Sequence, residues 1–205
     1  MTNAEQTQEL ADATEPEDAA AQPRPHLPGD THMWVMVLGD MVIFGAYFII
    51  FMIHRAMKPE MFIASQQHLN ITVGVFNTIV LLTSSLFIAR SVLAARAGDH
   101  QRAIRLTYSG GAFGALFILI KAYEWTTETM AGYTMPTNEF FTFYYMLTGV
   151  HLFHVTLGLI ILGVVVRELR NPRKRRLSTV ESGAIYWHLI DLLWIAIFAL
   201  LYVLR

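Results

Sequence analysis

Five apolar stretches, at about 33–54, 70–90, 105–126, 139–167 and 182–204, limit what this chain can fold into. A helix rising about 1.5 Å per residue needs roughly 20 apolar residues to cross a hydrocarbon core of about 30 Å. No water reaches the backbone there, so each N–H and C=O has to be bonded inside the protein, which a helix achieves within one segment. The expected fold class is therefore an all-α integral membrane protein, a bundle of five transmembrane helices. Composition agrees, with 54% of the 205 residues hydrophobic and only 15% charged. The connections are short, and no soluble domain fits among them.

The net charge of −1 conceals an asymmetry. Residues 1–30 hold Glu5, Glu9, Asp12, Glu15, Glu17, Asp18 and Asp30 against Arg24 alone. That segment has no apolar run, so it does not read as a signal peptide. Its Ala, Gln, Glu and Pro content reads as a disordered acidic cytoplasmic tail, with residues 31–205 forming the membrane domain. The chain has no cysteine, which excludes disulfides, thiolate metal sites, Fe–S clusters and thioether-bound haem. There is no internal repeat and no nucleotide-binding glycine pattern, and no nucleic-acid partner is expected.

Orientation follows from the basic residues beside the spans. Arg90, Arg96, Arg102 and Arg105 flank the loop between the second and third stretches. Arg167, Arg170, Arg173, Lys174, Arg175 and Arg176 flank the loop between the fourth and fifth. Both loops should be cytoplasmic, which puts the N-terminus inside and the C-terminus outside. The run from Arg173 to Arg176 reads as a topology determinant in contact with anionic lipid, or as a docking site for protein.

Ionisable residues inside spans are costly and mark functional or assembly sites. Helical spacing groups them by face: Asp40, Phe44, Tyr47, Phe51 and His54 on the first span; Asn77, Leu81 and Ser84 on the second; His151, His154 and Gly158 on the fourth; His188, Asp191, Ile195, Phe198 and Tyr202 on the fifth. The third is expected to lack such a polar stripe. Its Lys121 and Glu124, near the external end, stand i and i+3 apart and can pair, and Gly110 and Gly114 give it a small face for close packing. Asp40 and Asp191 fall at about a third of the membrane depth from the cytoplasmic edge and His154 near the middle. Two carboxylates and a histidine pair at comparable depth could form one buried network. His151, His154, His188 and Asp191 are also enough ligands, on paper, for a transition metal. Histidines satisfied in helix contacts are the alternative.

The residues also carry a family resemblance. The run Gly149-Val150-His151-Leu152-Phe153-His154-Val155-Thr156-Leu157-Gly158 resembles the G-x-H-x-x-H-V-x-x-G segment of subunit III of haem-copper oxidases. Tyr186-Trp187-His188-Leu189-Ile190-Asp191-Leu192-Leu193-Trp194 resembles the family's W-H-x-x-D-x-x-W signature, and Ala122-Tyr123-Glu124-Trp125 its A-x-E-Y/W element. Asn77-Thr78 followed by Leu81-Leu82-Thr83-Ser84-Ser85 is similar to its second conserved helix. The matches run in order through residues 33–205. Full-length members have seven helices with a lipid-filled cleft between the first two and the other five; this chain resembles the shorter five-helix form. Asp40 stands where the family typically has a carboxylate, often glutamate, and Lys121 where glutamine is usual. That substitution and the short length are similar to the nitric-oxide-reductase-associated branch.

What the resemblance implies is a non-catalytic accessory subunit of a respiratory complex in a bacterial-type plasma membrane. It would have no redox centre of its own, haem and copper belonging to a partner subunit I, with subunit II in the same assembly. Asp40, Glu124, His151, His154, His188 and Asp191 would support the partner's proton uptake or bind phospholipid. The partner would be an oxygen-reducing oxidase or a nitric oxide reductase. From the residues alone, a small proton-coupled transporter using Asp40, Glu124 and Asp191, or a haem-carrying membrane anchor, also stays open.

Overall fold

The computed structural model describes residues 31–171 and 176–204. The acidic tail at 1–30, the basic residues Arg173, Lys174 and Arg175, and Arg205 lie outside the described residues. Five long helices form, each long and apolar enough to cross a membrane: α1 (Thr31–Met57), α3 (Ile71–Arg96), α4 (His100–Met130), α5 (Glu139–Arg170) and α6 (Leu177–Phe198). A short α2 (Pro59–Gln66) occupies the first connection. It is an addition to the expected architecture, started by Pro59, whose fixed φ and missing N–H suit a first helical turn.

Side chains just outside the apolar runs define where helices begin. Asn70 accepts from the backbone N–H of Thr72 and Val73, Asp99 from Arg102, and Asn138 from Phe141. Each satisfies donors a helix start leaves unpaired. The turn from α3 to α4 is tight, and Gly98 adopts φ +80°, a left-handed conformation that glycine tolerates without strain.

Helix α6 is the centre of the bundle, packed between α3 and α5 with a lighter contact to α1. Trp187, Ile190, Trp194 and Ile197 of α6 are buried. Helix α1 is peripheral: Val35, Leu38, Val42, Ile49 and Ile53 face outward, as a bilayer permits, while Val37, Phe44 and Phe51 face in. The inward face expected from Asp40, Phe44, Phe51 and His54 is the one the structure uses, with Phe51 edge-on to Phe62 and Phe143. At the C-terminal end of α1, His54 and Lys58 both reach Glu139 at the start of α5.

Helix α6 ends in a π-helical turn, Ala199–Val203. Such a turn disturbs the regular backbone ladder. Gln66, buried at the end of α2, donates its amide to the carbonyls of Leu201 (2.9 Å) and Leu200 (3.2 Å). The unforeseen α2 thus supplies the partner that this irregular turn needs.

Candidate functional site

The deepest charges in the bundle lie on α4. Lys121 is fully buried and Glu124 is 4% exposed. The three ammonium protons go to Glu124 Oε2 (3.1 Å), Tyr144 Oη (3.3 Å) and Tyr202 Oη (2.7 Å). Tyr144 Oη donates to Glu124 Oε1 at 3.0 Å, and Tyr202 Oη donates to the same oxygen. Every polar hydrogen of the four groups has an acceptor, so donor and acceptor inventories match. The rings of Tyr144, Trp194 and Tyr202 lie 4.7, 5.3 and 5.3 Å from Lys121 Nζ, adding aromatic faces to the cation's surroundings. Glu128, one turn on, is buried as well.

Two expectations change here. The third span does have a polar stripe, and it holds the most completely enclosed ion pair among the described residues. The i, i+3 pairing of Lys121 and Glu124 is as expected, but the site is built from α4, α5 and the π turn after α6. Tyr144 carries no sequence signal for this role, because its partners are 20 or more residues away.

The remaining candidates do not form one network. His154 Nε2 lies 3.3 Å from Asp40 Oδ1, joining α5 to α1, and its Nδ1 lies 2.7 Å from the carbonyl of Val150. His188 Nδ1 lies 2.6 Å from Ser85 Oγ, joining α6 to α3, and 3.8 Å from Asp191 Oδ2. His151 packs between the rings of Phe117 and Trp194. No hydrogen bond or ion pair among the described residues connects these groups. The reason is angular: α6 turns His188 towards α3, whereas α1 packs beside His154 of α5. Nor do three His, Asp or Glu side chains converge as a metal-ligand set among the described residues. His151 Nδ1 and Nε2 and both Asp191 oxygens are buried without a hydrogen-bond partner among the described residues.

A second built feature surrounds Trp187. Its indole Nε1 donates to Ser84 Oγ (3.1 Å), and Ser84 Oγ donates to the Gly110 carbonyl (2.7 Å), linking α6, α3 and α4. A Cβ on Gly114 would stand 2.6 Å from Trp187 Cη2, and one on Gly158 would stand 3.0 Å from its Cε3 and 2.8 Å from Ile190 Cδ1. The glycine at the end of the His151 segment therefore exists to seat the tryptophan of the Trp187-His188 segment.

These elements are the segments that carried the resemblance, now in contact. The sequence model described as Cytochrome c oxidase subunit III matches residues 30–205. This chain belongs to the cytochrome c oxidase subunit III family. It is 33% identical over 175 residues to cytochrome c oxidase subunit 3 of Thermostichus vulcanus, covering 83% of this chain and 84% of that one. It is 30% identical to the probable cytochrome c oxidase subunit 3 of Mycobacterium bovis, again over 175 residues, covering 83% and 85%. It is 27% identical over 184 residues to a protein of Aeropyrum pernix named heme-copper oxidase subunit I+III, covering 83% of this chain and 22% of that one. Membership of a subunit III family with five membrane-length helices makes the chain a multi-pass membrane protein. The family match favours neither a transporter nor a haem-carrying anchor.

Proposed function

We propose that this chain is the non-catalytic subunit III of a respiratory haem-copper oxidase, bound in the membrane beside subunit I and supporting its assembly, proton uptake and turnover stability. Haem and copper belong to the partner in this reading. The observation that carries it is the family match across residues 30–205, which takes in the whole membrane domain. Support for the partner comes from the Aeropyrum pernix relative, whose name joins subunits I and III in one polypeptide. The oxygen-reducing complex is preferred to a nitric oxide reductase because the similar proteins carry cytochrome c oxidase names; subunit II would belong to the same assembly. Purification in mild detergent tests it. Subunit I of a haem-copper oxidase should co-elute with this chain, whereas recovery alone, or with transport components, would overturn the assignment.

In this reading Asp40 with His154 and Asp191 with His188 are the groups that support proton supply or hold lipid, while Glu124 and His151 serve the packing of the bundle. Asp40→Asn and Asp191→Asn keep size and hydrogen-bonding capacity but remove a titratable group. The expected result is near-wild-type initial oxidase activity, with weaker assembly or faster loss of activity during turnover. Immediate and complete loss of activity in a fully assembled complex would instead make one of these carboxylates a direct proton carrier.

The proposed orientation rests on the arginines at both ends of the α3–α4 turn and on those around the end of α5. A tag at residue 1 should be cytoplasmic and one after Arg205 external. Protease accessibility in intact cells and in inverted vesicles separates the two, and a protected C-terminus in intact cells would reverse the orientation.

A further inference from the structure

At the end of the α3–α4 hairpin the two helices leave a cavity of about 390 Å³, lined by Arg90, Leu93, Ala94, Asp99, Arg102 and Leu106. Its volume falls in the range of about 300–1,000 Å³ usual for small-ligand sites. The two arginines come from facing ends of two antiparallel helices, twelve positions apart in sequence, and both line the one space. Two other basic side chains nearby are engaged. Arg96 forms a paired contact with Glu181 (2.9 and 2.7 Å), and the Arg170 guanidinium lies 5.5 Å from the centre of the Tyr108 ring. No carboxylate or ring among the described residues takes the guanidinium of Arg90 or Arg102. The cavity's one acid, Asp99, is already committed, since it accepts the Arg102 backbone N–H at 2.9 Å and caps α4. The lining therefore has an excess of one positive charge.

The walls decide between anion sources. Leu93, 62% exposed, stands with Ala94 on α3, and Leu106 faces the same space from α4, both helices apolar and long enough to cross a membrane. A free phosphate would be served by the arginines and gain nothing from these side chains. A phosphate carrying acyl chains fits both parts, its headgroup between the guanidiniums and its chains along Leu93 and the outward side of α3, where Leu86 and Leu82 continue the apolar surface. Arginine suits this role through its planar array of donors for phosphate oxygens, and basic pockets between membrane helices are known places for anionic headgroups.

We propose that the cavity at the α3–α4 turn is a binding site for an anionic glycerophospholipid, whose phosphate is held by Arg90 and Arg102. This site is separate from Asp40, His154, His188 and Asp191, and it stands whether or not those residues support proton supply. The test uses the full chain in its purified complex, depleted of lipid and then titrated with phosphatidylglycerol, phosphatidylcholine or inorganic phosphate, with retained lipid counted by native mass spectrometry. Phosphatidylglycerol should be retained on this subunit, and Arg90→Gln with Arg102→Gln should weaken its retention by on the order of thirtyfold. Arg105→Gln, which removes one positive charge outside the cavity, should change it little. Equal retention of phosphatidylcholine, full displacement by inorganic phosphate, or an unaffected double variant would each overturn the proposal. If the double variant fails to assemble, a phosphatidylglycerol bearing a photoreactive acyl chain decides the matter on the unaltered protein. Adducts should then fall within residues 82–106, and adducts only elsewhere would refute the site.

Discussion

Lys121→Met is expected to destabilise the isolated subunit by about 3–5 kcal/mol, the usual cost of removing one partner from a buried ion pair. The side chain it removes donates to Glu124, Tyr144 and Tyr202 at once. Methionine fills much of the space but leaves the Glu124 carboxylate with two phenol donors and no cation. Denaturant unfolding of the purified chain in detergent measures the loss. A double change, Lys121→Gln with Glu124→Gln, should restore a large part of it, because two neutral amides can bond each other and the tyrosines without a buried charge. The two positions are then strongly coupled, whereas additive effects would show that the pair acts as two independent polar residues. A Lys121→Met subunit as stable as the original would mean that Glu124 takes up a proton at little cost.

Trp187→Ala should cost about 3–5 kcal/mol, as for other large-to-small changes of buried aromatics. It empties the space between Gly114 and Gly158 and breaks the bond to Ser84. Because lipid tails are themselves apolar, the loss comes mainly from van der Waals contact and the cavity rather than from transfer out of water. Filling the same seat from the other side should also harm: Gly114→Val places carbon within 2.6 Å of the indole and should cost about 1–3 kcal/mol. Comparable unfolding midpoints for all three proteins would show that Trp187 is not the wedge that fixes the positions of α4, α5 and α6.

The spans were legible in the sequence for a plain reason. A bilayer demands length and apolarity from each segment separately, so no knowledge of neighbours is needed to find them. The inward face of α1 could be read for the same reason, since Asp40, Phe44 and Phe51 recur at helical spacing and the rest of that helix meets lipid. The W-H-x-x-D and G-x-H-x-x-H segments pointed to the family before any contact between them was known. The π turn and α2 were not legible, because Gln66 and the carbonyls of Leu200 and Leu201 are related only by tertiary proximity.

Within the candidate sites the division is sharper. Residue spacing along one helix determined that Lys121 could meet Glu124, and that His188 and Asp191 share a side of α6. Only the tertiary structure decided that Lys121 and Glu124 would be closed by Tyr144 and Tyr202, that His154 would face Asp40, and that His188 would turn to Ser85 instead of joining them. Helical periodicity fixes the angle at which a side chain leaves its own helix and says nothing about which helix stands opposite. That choice was made by packing, above all by Trp187 seated on Gly114 and Gly158, which sets how α6 is rotated between its neighbours and therefore which buried polar groups can reach one another.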